Sequence, residues 1–88
     1  MRIQAVSISS DVLEKLFRKG IEVQEVEDAL KGSSKHVFRT RKGRYLAITQ
    51  HKRYLAIVFE YENGDAEIVT AYPPSDWEIK LYKKKIKK

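Results

Sequence analysis

Three arginines lie close together around one predicted turn. Arg39 and Arg41 precede the pair Lys42-Gly43, and Arg44 follows it. Antiparallel pairing of the two flanking strands would bring Arg39 or Arg41 within reach of Arg44. Guanidinium groups at this spacing repel one another unless an anion lies between them, and each can bind phosphate through two parallel hydrogen bonds. The segment therefore predicts a phosphate-binding site.

The charged residues of the chain are divided into blocks. Residues 1–28 carry four basic and six acidic side chains, and residues 29–59 carry eight basic side chains and no acid. Residues 60–79 carry six acids and no base, and residues 80–88 carry six lysines, which gives successive net charges of −2, +8, −6 and +6. The long acid-free segment favours a polyanionic partner such as RNA. A solubilising surface followed by an unstructured lysine tail is the alternative interpretation.

RNA cleavage is a reaction that such residues can perform without a cofactor. The 2′-hydroxyl of the substrate is the nucleophile, so the protein only has to hold the phosphate, stabilise its growing charge and move protons. The predicted catalytic residues are the phosphate ligands Arg39, Arg41 and Arg44 and the acid–base candidates His51, Tyr72 and Tyr82. Further nucleic-acid contacts are predicted for Lys35, Lys42, Lys52, Arg53 and Lys80.

Several aromatic candidates also have a structural interpretation. His51 lies in a predicted tight turn, where an imidazole is commonly just solvated, and Tyr72 closes a predicted strand. Tyr45 and Tyr54 are expected to pack across neighbouring strands rather than to stack on bases. Trp77 is expected to anchor the last helix in the core.

Other chemistries lack their sequence motifs. The chain contains no Gly-x-Ser-x-Gly segment, no glycine-rich phosphate loop and no His-Glu-x-x-His helix. It has no cysteine, and the spacing of His36 and His51 is not that of a metal motif. We therefore expect neither a metal nor a cofactor. The absence of cysteine, of a long apolar segment and of a signal-peptide pattern predicts a cytoplasmic protein.

The pentapeptide RYLAI occurs twice, at residues 44–48 and 53–57. Each copy continues an alternating apolar pattern that is typical of a strand, and the short connection between them predicts an antiparallel hairpin. Asn63-Gly64 is a strong two-residue hairpin signal and predicts another strand over residues 67–72. Residues 3–8 and 35–41 alternate in the same way.

Helices are predicted from capping residues and periodicity. One short helix follows the N-cap candidates Ser9, Ser10 and Asp11 and ends at Gly20, and a second runs from about residue 22 to residue 31. The first should bury the stripe Val12, Leu13, Leu16 and Phe17. Ser75 and Glu78 match a capping box that opens a last helix, with Trp77, Leu81 and Tyr82 pointing inward. The order β-α-α-β-β-β-β-α predicts one α+β domain over residues 1–82, an antiparallel meander sheet with the two N-terminal helices on one face, followed by a lysine-rich tail at residues 83–88.

Three segments resemble BrnT-like toxins of the RelE/ParE superfamily and a neighbouring group of small prokaryotic domains. Residues 18–26 (RKGIEVQEV) resemble the Lys-His-Gly-Ile/Val segment and following helix of that family, and residues 43–48 (GRYLAI) and 68–72 (IVTAY) resemble two of its strands. The likeness covers about residues 12–83. Lys19 replaces the family's histidine and Tyr72 its arginine, whereas Tyr82 matches a C-terminal tyrosine of some relatives.

The resemblance implies a RelE-like fold, a ribonuclease toxin that acts on free or ribosome-bound RNA, and control by a small antitoxin protein. The prediction is therefore a cytoplasmic, toxin-like, metal-independent ribonuclease. Two alternatives use the same basic surface. One is an RNA-binding module without catalysis, and the other is a protein-binding module whose partner is acidic, such as an antitoxin tail.

Overall fold

The computed structural model describes residues 2–32, 34–40 and 43–86, apart from the side chain of Ile86. The elements in order are β1 (Ala5–Ser7), α1 (Ser10–Arg18), α2 (Val23–Lys31), β2 (Lys35–Arg39), β3 (Tyr45–Gln50), β4 (Tyr54–Glu62), β5 (Asp65–Tyr72) and α3 (Asp76–Ile86). The α+β class and the predicted order of elements are confirmed. None of the helices in this part of the chain combines the length and apolar content needed to cross a bilayer.

The sheet is mixed, with the strand order β1-β5-β4-β3-β2. Strands β2 to β5 form the predicted antiparallel meander, whereas β1 pairs parallel with β5. The prediction of a wholly antiparallel sheet was therefore wrong for β1. Apolar alternation shows which face a strand buries, but it does not show which neighbour the strand pairs with or in which direction. The two N-terminal helices carry the chain from β1 at one edge to β2 at the other.

The β4–β5 hairpin turns at Asn63-Gly64, as predicted, with φ angles of 51° and 85°. Positive values at both positions are what a type I′ turn requires. The carbonyl of Gly64 also accepts the N–H groups of Gln4 (2.7 Å) and Ala5 (3.1 Å). A Cβ atom on Gly64 would lie 3.2 Å from Oε1 of Gln4, so the glycine leaves room for the chain that enters β1.

Helices α1 and α2 cover one face of the sheet and enclose the main core. Its largest fully buried side chains include Leu16, Leu30, Ile57 and Phe59. The N-cap of helix α1 is Ser9, the first of the three predicted N-cap residues, and its Oγ accepts the N–H of Val12.

The turn between the two helices is built as predicted. Gly20 has a left-handed φ of 73°, and Ile21 donates its N–H to the carbonyl of Leu16 at 2.9 Å. This bond closes the end of α1 in a Schellman motif and folds Ile21 back into the core.

The predicted apolar stripe of α1 was only partly correct. Leu16 is buried and Val12 is half-buried, but Leu13 is 45% and Phe17 is 83% exposed. Residues 12 and 16 are one turn apart and form the line of contact with the sheet. The flanking pair Leu13 and Phe17 is left facing solvent.

Helix α3 packs on the opposite face of the sheet and contacts β2 and β3. Tyr54 and Tyr72 alternate with the core residues Leu55 and Ala71, so they point away from α1 and α2. Tyr82 packs edge-on against Tyr54 and is buried, as predicted. The prediction for Trp77 was wrong, because this side chain is 65% exposed.

Candidate nucleic-acid interface

The fold lays the lysine-rich last helix on one face of the acid-free strands. Helix α3, which carries the lysines, lies against β2 and β3 of the acid-free segment. The helix continues to Ile86, so Lys83–Lys85 are helical where the sequence analysis predicts a tail. We name this surface the basic face and define it by His36, Phe38, Tyr54, Lys80, Lys83, Lys84 and Lys85.

The start of α3 is fixed by a buried carboxylate. Glu78 is 7% exposed and accepts hydrogen bonds from the Tyr72 hydroxyl (2.9 Å), the Ser75 N–H (2.9 Å) and the Ser75 hydroxyl (3.1 Å). The N–H of Glu78 in turn donates to Ser75 Oγ at 3.4 Å, which completes the predicted capping box. The negative charge also lies in the first turn, where the helix dipole favours it. The end of β5 and the start of α3 are therefore tied together.

Tyr72 is held in its neutral form by this arrangement. Burial, and then the hydrogen bond to Glu78 and its charge, raise the pKa of Tyr72 to about 12. The hydroxyl is already used as a donor to Glu78. At neutral pH it therefore serves as a structural hydrogen-bond donor rather than as a base.

Tyr82 holds the middle of α3 against the sheet. Its hydroxyl donates to the carbonyl of Ser34 at 2.9 Å, and burial raises the pKa of Tyr82. The ring meets Tyr54 edge-on with 5.9 Å between centroids. Lys83 Nζ lies 5.9 Å from the Tyr54 centroid, a cation–π distance that places one lysine over an aromatic ring of the basic face.

His36 is not among the residues that the sequence predicts for the site. It is half-buried, and its ring meets Phe38 at 4.5 Å and 66°. Burial, and then the positive charge of Lys85, lower the pKa of His36, so the imidazole is neutral at pH 7. The signal in the sequence is the alternation of β2, which places residues 36 and 38 on one face.

The predicted arginines do not form one cluster in the structure. Arg39 lies opposite Tyr45 in the register of β2 and β3, whereas Arg44 lies one residue before Tyr45, so their side chains point to opposite faces. Arg44 Nε lies 3.3 Å from Glu60 Oε2 in an exposed ion pair. Arg41 and Lys42 lie outside the described residues.

The arginines and the tyrosine hydroxyls also lie at different ends of the sheet. Tyr82 bonds to Ser34, and Arg39 follows Ser34 by five residues along an extended chain. This separation corresponds to roughly 16 Å. The predicted catalytic residues are thus spread over both ends of the sheet.

Arg53 has a structural role. Its guanidinium bonds Glu25 through two atoms, at 2.6 and 3.0 Å, and donates to the Gly20 carbonyl at 3.0 Å. The hydrogen bond from Arg53 lowers the pKa of Glu25, so both groups stay charged. This contact ties the α1–α2 turn to the start of β4.

The remaining predicted contacts lie near the same end of the sheet. Lys35 donates its Nζ to the Gly32 carbonyl at 2.8 Å. His51 and Lys52 are exposed in the β3–β4 turn, and Lys80 is exposed on α3. Lys52 and Lys80 are therefore accessible to an anion, and their predicted role stays a prediction.

Comparisons with protein-family models, with curated proteins and with solved structures each find no match. Across residues 2–32, 34–40 and 43–86, no group of three or more His, Cys, Asp or Glu side chains is arranged to hold a metal ion. The arrangement of charge, rings and hydrogen bonds on the basic face is thus the basis for a functional interpretation.

We expect the phenol of Tyr72 to titrate with a pKa of about 12, which NMR can follow through its Cζ resonance. In Glu78→Gln the neighbouring negative charge is gone but burial remains, so the pKa should fall part of the way toward the ordinary value of about 10. The pKa of Tyr72 is higher in the folded chain than in the unfolded chain. Its hydroxyl therefore contributes its full stabilisation below about pH 10, and this stabilisation is lost as the pH rises through the folded-state pKa of about 12.

The matched control is Glu67→Gln, which removes an exposed acid from the same strand. It should leave the Tyr72 titration unchanged. A Tyr72 pKa near the ordinary value of about 10 in the unaltered protein would contradict the proposed anchoring of α3.

Proposed function

We propose that the protein binds single-stranded RNA through the basic face. The observation that carries this proposal is the position of α3, which lays Lys80, Lys83, Lys84 and Lys85 along strands that contain no acid. Phosphates are bound mainly by such lysines and arginines, and the release of counterions supplies much of the affinity.

Aromatic rings on the same surface favour single-stranded over double-stranded RNA. Phe38 and Tyr54 are half-buried on the basic face, beside His36 and Lys83. Unpaired bases can stack on rings of this kind, whereas the bases of a duplex are stacked on one another. A groove of lysines interleaved with rings is the arrangement that binds a single strand without strong sequence preference.

The acids of the sheet lie apart from this surface. Glu60, Glu62, Asp65 and Glu67 line a shallow depression around the β4–β5 turn, at the opposite end of the sheet from Tyr54 and Tyr72. Helix α3 carries two acids, of which Glu78 is buried and hydrogen bonded and Asp76 is exposed in the first turn. A polyanion on the basic face would therefore meet little opposing charge.

Binding should depend steeply on salt. If four to six phosphates are contacted, the logarithm of the affinity should fall with the logarithm of the salt concentration with a slope of about −3 to −4. The double variant Lys83→Gln/Lys84→Gln should flatten this slope by about 1.4, since each lost contact accounts for about 0.7. Fluorescence anisotropy with a labelled oligouridine at several salt concentrations measures both quantities.

The matched control is Lys15→Gln/Arg18→Gln, which removes two exposed charges from α1 on the opposite side of the sheet. Its slope should equal that of the unaltered protein. A control variant that flattens the slope as much as the α3 variant would show that only net charge matters, and a slope near zero would reject RNA binding.

His36 supports metal-independent cleavage as a second candidate function. Its imidazole is neutral at pH 7 and lies within electrostatic range of Lys85. A neutral imidazole can take the proton of the 2′-hydroxyl, whose oxygen then forms a bond to phosphorus as the bond to the 5′-oxygen breaks. A lysine ammonium can give a proton to that leaving oxygen. The sequence resemblance to BrnT-like toxins extends this proposal to a cytoplasmic, toxin-like ribonuclease with a small antitoxin protein as partner.

The two histidines give a matched pair of variants for this reaction. If His36 is the base, His36→Gln should lower the rate of RNA cleavage by about 10² to 10⁴, whereas His51→Gln should not change it. Gel analysis of a labelled RNA in the presence of a chelator measures the rate. A substrate with a 2′-deoxy sugar at the cleaved position should not be cleaved, because it lacks the 2′-hydroxyl nucleophile.

Equal loss in both variants, or a loss confined to His51→Gln, would show that His36 is not the base. Intact RNA after long incubation, together with normal growth of bacteria that express the chain, would reject the ribonuclease and leave the RNA-binding function in place.

A further inference from the structure

An apolar groove lies on the side of the molecule away from the basic face. It runs between α1 and the start of α2, has a volume of about 640 Å³, and is lined by Leu13, Phe17, Gly20, Ile21, Glu22, Val23 and Gln24. Phe17 is 83% and Leu13 is 45% exposed, whereas Ile21 is buried at its floor. An exposed phenylalanine beside other apolar side chains is typical of a surface that binds another molecule.

Folding alone does not explain the groove. The contact of α1 with the sheet is already made by Leu16 and Val12, and the Schellman motif at Gly20 uses the backbone of Phe17 but not its side chain. Arg53 then holds the α1–α2 turn in place through Gly20 and Glu25. The groove is thus kept open by contacts that do not use its exposed side chains.

The charge around the groove is acidic. Glu22 lines it, and Glu27 lies one helical turn beyond Val23 on the same side of α2. Arg18 pairs with Glu14 and Arg53 pairs with Glu25, and Lys19 extends its Nζ to Thr70 Oγ1 and to the Ala71 carbonyl of β5. The acidic rim formed by Glu22 and Glu27 is thus opposite in sign to the net charge of the whole chain, which is +6.

We propose that this groove docks the apolar face of a cationic amphipathic helix from a protein partner. Apolar side chains spaced three and four residues apart on such a helix would fill the space between Leu13, Phe17 and Val23. Its lysines or arginines would face Glu22 and Glu27. Because α1 and α2 lie on the opposite side of the sheet from α3, the partner and RNA would bind at the same time.

Three synthetic helical peptides of about 14 residues test the proposal. The first carries leucines at positions 3, 7 and 10 with flanking lysines, the second has glutamates in place of the lysines, and the third has serines in place of the leucines. In fluorescence anisotropy the first peptide should bind, and the other two should bind at least about tenfold more weakly, because each lacks one of the two complementary features.

Matched variants locate the binding. Phe17→Ser should weaken the binding of the lysine peptide by about tenfold. Trp77→Ser removes an exposed aromatic side chain from α3 instead, and it should not weaken this binding. Both side chains are exposed, so both variants should keep the circular dichroism spectrum of the folded protein. Glu27→Gln should weaken the binding of the lysine peptide, but it should not weaken the binding of a neutral peptide with glutamines in place of the lysines.

Equal binding of the lysine and glutamate peptides would overturn the proposal, as would a Phe17→Ser variant that binds normally. Self-association of the free protein that Phe17→Ser abolishes, measured by sedimentation, would also overturn it, because a second copy would then be the occupant.

Discussion

The hydrogen bonds that Glu78 accepts from Tyr72 and Ser75 determine where α3 lies. They join the last residue of β5 to the first turn of the helix, and Tyr82 then holds the helix to Ser34 at the start of β2. These anchors at two points fix the direction of α3 across the sheet. Without them the lysines would be a mobile tail, and the charge would be spread around the molecule. With these hydrogen bonds in place, the lysines of α3 form one surface next to His36, Phe38 and Tyr54.

The sheet separates two surfaces of different character. On one side a basic face with half-buried rings suits a single-stranded polyanion. On the other side α1 and α2 present an apolar groove with an acidic rim. Arg53 belongs to the scaffold between them, because its pairing with Glu25 fixes the α1–α2 turn against β4. A basic residue in an acid-free segment is thus not always free to bind an anion.

Local signals predicted much of this fold. The repeated pentapeptide, Asn63-Gly64, Gly20 and the pair Ser75–Glu78 each specify a structure through neighbouring residues, and each is found as predicted. The parallel pairing of β1 and the exposure of Phe17 and Trp77 depend on contacts between distant residues. Periodicity cannot predict these, because it shows a helix's apolar side but not how much of that side a neighbour covers.

The candidate site was harder to predict for the same reason. The sequence does not show that the lysine block packs on the acid-free strands β2 and β3, and only the register of these strands separates Arg39 from Arg44. His36 was not among the predicted site residues, because the lowering of its pKa comes from burial and from Lys85, which is distant in sequence.

The most direct test of the basic face is to map where RNA binds. The amide spectrum of the isotope-labelled protein is recorded by NMR while a short oligouridine is added. The largest shifts are expected at His36, Phe38, Tyr54 and Lys83–Lys85, with little change at Leu13 and Phe17. Shifts concentrated in α1 and α2, or none at a concentration where anisotropy shows binding, would contradict the assignment of RNA binding to this surface.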